Sequence, residues 1–301
     1  MDWLVVAAPL LAELRNLRRP PRSRLDGKLR VYIPARGFDE PLAVTARHAV
    51  VVRDRDEECV ERNCLRVDTV GKAAAVEGAL RASDCEYAAL FDSDVYFTPL
   101  DAASLAEAAG DGVATSYRLL YGRGFWGWVA AAASDVGFTL MGLSRFIWGG
   151  AVAGRADTLR AIYSGASRAL SDDMYATRAA KRLGVPIRFL YLRLVGPAPA
   201  ETPRGVFKRL VRQFAIASRQ GPLLVKVGVA LLAGWLALWA AYPYMFLVSA
   251  LAGYLRRLAL RAPCPPVYIP AAMLAPLFIL AAAVSSFLIK EVEWRGARFK
   301  L

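Results

Sequence analysis

The sequence predicts an α/β domain on a mostly parallel sheet, followed by a membrane-embedded region. Three observations carry that prediction. Short apolar runs alternate with an alanine-rich helical stretch between residues 29 and 91, two acidic clusters each follow one of those runs, and two long apolar stretches lie beyond residue 220. Strand, helix and strand in alternation build parallel sheets, and such sheets bind ligands outside the carboxyl ends of their strands.

From the start of the chain, Trp3 to Leu14 is apolar except for Glu13 and is followed by Arg15, Arg18, Arg19, Arg22 and Arg24, with Pro20 and Pro21 breaking any helix. A run of about 12 residues falls short of the roughly 20 needed to cross a bilayer core. Residues 1–26 are therefore read as a short segment at the membrane interface. Leu29 to Pro34 alternates and is β-branched, then meets Ala35-Arg36-Gly37, a strand running into a loop. Ala49 to Val52 is a second strand and ends at Arg53-Asp54-Arg55-Asp56-Glu57-Glu58. Gly71 to Leu80 is alanine-rich and helical and leads into a strand over Tyr87 to Phe91, which delivers Asp92 and Asp94. On extended backbone, residues two apart share a side, so this pair suits a hard divalent cation, or a cation and a ribose. The plain alternative is an acidic turn. Convergence of Asp54, Asp56, Asp92 and Asp94 on one sheet edge favours a ligand.

Gly112 to Tyr117 reads as a further strand. The aromatic stretch after it, from Phe125 to Trp148, is interrupted by Arg145 and Asp135 and so makes no clean span. It is either a half-buried helix at the bilayer surface or a core helix rich in Trp. Trp148 to Leu159 is a turn in which Gly149 and Gly150 permit close backbone approach to a ligand, with a helix beginning near Asp157. Ser171 caps a helix opened by Asp172 and Asp173.

The hydrophobic fraction is 56% and the formal net charge +13. Between Glu201 and Glu291 there is no Asp or Glu, while Arg204, Lys208, Arg209, Arg212, Arg219 and Lys226 gather just before the most apolar part. Basic residues beside apolar runs point to a membrane surface and away from nucleic acid. Leu223 to Leu255 and Val267 to Ile289 are each long enough to span, so two spans are expected; Arg256, Arg257 and Arg261 fall on the outer side if the first run crosses once and on the inner side if it forms a hairpin. Cys59, Cys64, Cys85 and Cys264 lack paired Cys-x-x-Cys spacing and read as reduced, buried residues; with His48 the only histidine, the pattern points away from a zinc site and toward a carboxylate as any general base.

Taken in order, Pro34-Ala35-Arg36-Gly37 after a strand, an acidic loop after the next, Gly71-Lys72-Ala73-Ala74-Ala75-Val76 and Phe91-Asp92-Ser93-Asp94 resemble the nucleotide-sugar-binding half of a GT-A fold glycosyltransferase of family 2 type. Gly149-Gly150 with Arg155, the acidic pair Asp172-Asp173 ahead of Gly184, and Arg209 and Arg212 extend the resemblance, with Gln213 standing where the family has Trp. The tail from Glu291 to Phe299 is similar as well. The ceramide glucosyltransferase-like branch is the nearest in motif order.

The resemblance implies a mixed, mostly parallel sheet at residues 27–219, transmembrane helices at 220–289 and a cytosolic tail at 290–301. It implies donor contacts from Pro34, Arg36, Asp54, Asp56, Lys72 and Asp92, and Mg2+ or Mn2+ on Asp92 and Asp94. Gly149, Gly150, Asp172, Arg209, Arg212 and Gln213 would stand on the sugar and acceptor side, with Asp173 as base. Lys72 also reads as a merely solvated helix-start lysine, and the two arginines as membrane-surface anchors. The implied protein is a multi-pass cell-membrane enzyme, catalytic on the cytoplasmic face, that moves one sugar from a UDP-type donor to a lipid hydroxyl. The alternatives are a polyisoprenyl-phosphate acceptor, or a membrane protein that binds nucleotide sugars without turnover.

Overall fold

The computed structural model of the chain describes residues 28–301 apart from 170, 199–201, 221–222, 240–241, 290, 295–296 and 301. The interfacial segment expected before residue 27 therefore lies outside the described residues. The chain divides into two units, residues 1–119 with 137–196, and residues 120–136 with 197–301.

In the first unit seven strands form one sheet: β1 (Leu29–Pro34), β2 (Val50–Arg53), β3 (Cys64–Arg66), β4 (Tyr87–Phe91), β5 (Val113–Thr115), β6 (Ala151–Arg155) and β7 (Ile187–Phe189). Their spatial order is β3-β2-β1-β4-β6-β5-β7. β1 pairs in parallel with β2 (Ile33 opposite Val51) and with β4 (Val31 opposite Ala89), while β6 lies antiparallel between β4 (Leu90 opposite Val152) and β5 (Ala114 opposite Ala153). Two successive antiparallel pairings give β5 the direction of β4. The carboxyl ends of β1, β2, β4 and β5 thus share one edge.

Alternate residues feed opposite faces. Tyr32, Val52 and Leu90 pack with Val76 and Leu80 of the helix Lys72–Arg81 and with Leu159 of the helix Ala156–Tyr163, while Ile33, Val51 and Phe91 pack with Leu105 of the helix Pro99–Ala109. Both faces are covered, as near-continuous apolar strands require.

β6 replaces the turn expected over part of Trp148 to Leu159. Its sequence, Ala-Val-Ala-Gly-Arg, has one β-branched residue and weak strand character. Small residues are what the position demands, because a Cβ on Gly154 would come within 2.9 Å of the Gly112 carbonyl oxygen. The cysteine expectation also needs correction: Cys59 and Cys64 form a disulfide across 5.7 Å between Cα atoms, and Cys85 and Cys264 are free and half-buried. The connection from β2 to β3 folds back on itself, a closure that cysteine spacing alone does not reveal.

The second unit is helical. The apolar run from Leu223 to Leu255 breaks before Pro243 into the helices Leu223–Leu238 and Tyr244–Ala259, 16 residues each. At 1.5 Å per residue each measures about 24 Å, short of a bilayer core of about 30 Å. Among the described residues only Tyr268–Ser286, with 19 residues and mean hydropathy 2.0, is long and apolar enough to cross, and 44% of that window is buried inside the protein. Two spans were expected; one candidate is found, and a buried core helix passes the same test.

Arg257 lies within the helix Tyr244–Ala259. It is fully buried and donates from Nε and Nη2 to both oxygens of Asp135, at 2.7 and 2.8 Å, and to the carbonyls of Leu120 and Pro263. Tyr268 donates its hydroxyl to Asp135 at 2.6 Å. With this many partners a buried charge pair is tolerated. The helix Phe125–Ser144 buries Trp128 and Phe138, each within its own unit, which favours the core reading over the bilayer-surface one. In the tail, the backbone of Glu291–Trp294 pairs antiparallel with Ala297–Lys300.

Candidate active site

The site grows from the helix Lys72–Arg81. Its N-cap is Gly71 with φ 103°, a conformation that side-chain-bearing residues rarely adopt. Asp54, buried at the end of β2, accepts the backbone N–H of Gly71 at 3.1 Å and of Asp56 at 3.2 Å. Its carboxylate therefore fixes the start of the helix that carries Lys72. The Lys72 ammonium lies 2.8 Å from Asp92 Oδ1 and 2.9 Å from Asp172 Oδ2. Residues from β4 and from the helix Asp172–Arg182 meet on one cation.

Asp92 leaves β4 in a turn, not on extended backbone. Its N–H donates to the Gly150 carbonyl at 3.1 Å, and the Val95 N–H donates back to the Asp92 carbonyl at 3.2 Å. Ser93 donates its hydroxyl to Asp39, and Asp94 pairs with Arg118. The expected side-by-side pair of carboxylates is thus divided, each aspartate holding its own protein cation. A turn supersedes the period-two geometry on which the expectation rested.

Asp173 is set by backbone. Ser171 caps its helix by accepting the Met174 N–H, and Gly149 donates its N–H to Asp173 Oδ1 at 2.7 Å. Two hydroxyls pin the segment carrying Gly149. Thr177 accepts the Ile147 N–H at 3.0 Å, and Thr115 accepts the Trp148 N–H at 3.0 Å while donating to the Ala151 carbonyl at 2.9 Å. A Cβ on Gly149 would lie 2.5 Å from Asp173 Oδ1 and 2.6 Å from Asp172 Oδ2, and one on Gly150 would overlap the Trp148 ring. Both glycines serve close packing.

Burial, reinforced by Asp172 and Asp92, pushes the Asp173 carboxyl up to about 7, against the opposing pull of Lys72 and the Gly149 N–H. Burial also raises Asp92, with Asp94 and Asp172 adding to it. For Lys72 burial acts downward, but Asp172, Asp92 and Asp173 outweigh it and hold the ammonium well above the usual lysine range. The cluster therefore keeps a fixed positive charge beside a carboxyl poised near neutrality.

Among the described residues, no group of three or more His, Cys, Asp or Glu is arranged to hold a metal ion. Asp92 and Asp94 still offer hard oxygen donors. Such a pair fits a Mg2+-like ion that takes one or two carboxylates and completes its shell with phosphate oxygens and water. It does not fit an all-protein cage.

The remaining expected residues are more scattered. Pro34 is buried at the end of β1, Arg36 is exposed and pairs with Glu57 at 3.7 Å, and Asp56 is exposed and pairs with Arg55 at 3.4 Å. Arg209, Arg212 and Gln213 lie on the helix Pro203–Gln220 of the second unit. Sequence reasoning missed Arg118, which joins the site beyond the carboxyl end of β5. Knowledge of that strand's direction would have found it. Thr115 and Thr177 carried no signal, because hydroxyls that fix backbone look like any others.

No protein-family model matches the chain, and no curated protein matches it. Solved structures similar to it include a mannosyltransferase from Pyrobaculum calidifontis in complex with GDP-Man and Mn2+, at 16% identity over 94% of this chain and 96% of that one, with a TM-score of 0.47. Glucosyl-3-phosphoglycerate synthase from Mycobacterium tuberculosis, in complex with Mn2+, uridine-diphosphate and phosphoglyceric acid, is 13% identical over 69% of this chain and 82% of that one, with a TM-score of 0.35. A 2-C-methyl-D-erythritol 4-phosphate cytidylyltransferase from Thermus thermophilus is 17% identical over 60% and 95%, with a TM-score of 0.36. At such scores these likenesses assign neither substrate nor residue role.

Proposed function

We propose that this chain is a glycosyltransferase that moves one sugar from a nucleotide diphosphate sugar, UDP-linked, to a lipid hydroxyl, with inversion at the anomeric carbon. The observation that carries the reading is the Lys72 ammonium bridging Asp92 and Asp172 beside Asp173, whose oxygen is held by the Gly149 N–H. Four separate segments converge there, at the sheet edge where such ligands bind.

Asp173 takes the proton of the acceptor hydroxyl as its oxygen bonds to the anomeric carbon. The bond from that carbon to the diphosphate breaks, and the nucleoside diphosphate departs with the electron pair. A base with a carboxyl near 7 suits this step at neutral pH. Asp92 and Asp94 would hold Mg2+ or Mn2+, which when bound offsets the charge of the departing diphosphate. Lys72 supplies a permanent positive charge on the same side, and Asp54 positions it through Gly71.

A lipid acceptor is supported by the second unit. Tyr244, Leu247, Leu251, Leu255 and Leu258 are exposed at helical spacing along Tyr244–Ala259, and patches of this kind mark membrane or partner surfaces. Arg209, Arg212 and Gln213 are assigned to the acceptor side on the family resemblance. The run of basic residues without Asp or Glu from 202 to 290 favours a second reading, an acceptor that is itself a lipid phosphate.

The test supplies radiolabelled nucleotide sugars to membranes containing the chain, with Mn2+ or chelator, and extracts lipid. Metal-dependent label in a base-stable, acid-stable glycolipid supports the hydroxyl acceptor. Label released by mild acid identifies a glycosyl phosphate and moves the second reading ahead; no label from any donor removes the enzyme reading.

A further inference from the structure

We infer that Arg118 is an exchangeable counter-ion for Asp94. It holds that carboxylate while no divalent cation is bound, and turns to the diphosphate of a nucleotide ligand once a cation takes Asp94. The inference rests on the nucleotide-diphosphate reading above and adds to it a residue with two alternating partners.

Arg118 differs from the site's other cation in how it is held. Lys72 bridges two carboxylates, so losing Asp92 would leave it on Asp172. Arg118 makes its ion pair with Asp94, whose side chain keeps 36% of its surface exposed, and Asp92 acts on it only through space. The paired atoms, Arg118 Nη1 and Asp94 Oδ1, are buried, so an entering ion reaches Asp94 from the exposed remainder of its carboxylate.

The guanidinium also has a second seat. Its Cζ stands 5.6 Å over the Trp148 ring, which packs 4.7 Å from Tyr117 and whose backbone N–H is anchored on Thr115. A guanidinium released from Asp94 thus stays over an aromatic face at the sheet edge. Its planar fork matches two phosphate oxygens, which an ammonium does not. The turn carrying Asp94 is confined as well: a Cβ on Gly196 would overlap the Asp94 carbonyl oxygen. Exchange therefore moves side chains over a fixed backbone.

Ion competition and diphosphate contact predict effects of opposite sign, which a structural role does not. The full chain is compared with Arg118→Gln and Arg118→Lys. Mn2+ alone is titrated by electron paramagnetic resonance, and UDP binding in saturating Mn2+ is measured by calorimetry.

Arg118→Gln is expected to bind Mn2+ alone about five- to tenfold more tightly, since the competing cation is gone, yet UDP about tenfold more weakly. Arg118→Lys keeps the charge, so its Mn2+ affinity stays close to that of the unaltered chain, while UDP binding drops several-fold with the fork. Mn2+ affinity unchanged or weakened in Arg118→Gln overturns the exchange. UDP affinity equal in Arg118→Lys and the unaltered chain overturns the diphosphate contact, and this arm decides the matter if the Gln variant does not fold. If the unaltered chain binds Mn2+ but no UDP, the uridine reading fails and the diphosphate half of the inference, as stated for UDP, with it. The Mn2+ titration then still decides the competition for Asp94.

Discussion

Two clusters of buried charge, one in each unit, show how the same residue types serve different ends. Around Asp135 the hydrogen bonding is dense: both carboxylate oxygens are taken by Arg257, Tyr268 adds a hydroxyl, and Arg257 gives two further N–H groups to the carbonyls of Leu120 and Pro263. Both charged residues are almost fully buried. Around Lys72 the carboxylates outnumber the ammonium, Asp92, Asp172 and Asp173 lie partly exposed, and one carboxyl is pushed up to about 7. A balanced, buried cluster holds structure together. An unbalanced, half-open one is built to receive something.

Breaking the closed cluster should produce the largest effect, on stability. Asp135→Ala leaves a buried guanidinium unpaired, and thermal or denaturant unfolding should show a loss of about 3–5 kcal/mol. A loss under about 1 kcal/mol would mean that water reaches Arg257 and that the contrast between the clusters is overstated.

In the open cluster the effects should fall on chemistry. Gly149→Ala places a methyl against both Asp172 and Asp173 and should lower transfer about a hundredfold with the fold retained, since displacements near 1 Å cost that much. Near-normal transfer would show that the Gly149 N–H does not set the base. Lys72→Gln should weaken nucleotide diphosphate binding about tenfold, the scale of one lost charge contact. Unaltered affinity would return Lys72 to the role of a solvated helix-start lysine.

The smallest effect is on pH dependence. A carboxyl with a raised value carries its proton below that value and cannot act as base there, so transfer should rise with pH through about 7. Lys72 lowers Asp173, so Lys72→Gln should move this limb to higher pH. A rate that is flat between pH 5 and 8 would separate Asp173 from the rate-limiting proton transfer.

Legibility from sequence followed how much each element depends on its neighbours. β1 is readable to the residue because Val31, Tyr32 and Ile33 carry their own strand signal, and β4 because its short apolar run Tyr87–Phe91 ends at the acidic pair that follows it. β6 is not, since its alanines and glycine are chosen by the strands pressing on either side. The apolar run after residue 223 was visible as composition, but its division before Pro243 into two helices too short to span was not drawn.

In the site, Asp92, Lys72, Asp172 and Asp173 were named from motif order, and the fold brings them together. Asp54 is expected at the nucleotide from motif order, and in the fold its oxygens accept the N–H groups of Asp56 and Gly71. Arg118 escaped notice because its strand is three residues long and its partner lies at the end of another. The pairing of Cys59 with Cys64 needed a chain reversal that spacing does not encode.

The most direct test is sugar transfer by Asp173→Asn, measured with nucleotide affinity on the same preparation. Removing a positioned base costs about 10²- to 10⁴-fold, so transfer should fall by that amount and lose its pH limb while nucleotide and metal binding persist. Transfer within a few-fold of the unaltered chain, with the limb intact, would contradict the assignment of Asp173 and with it the account of the open cluster.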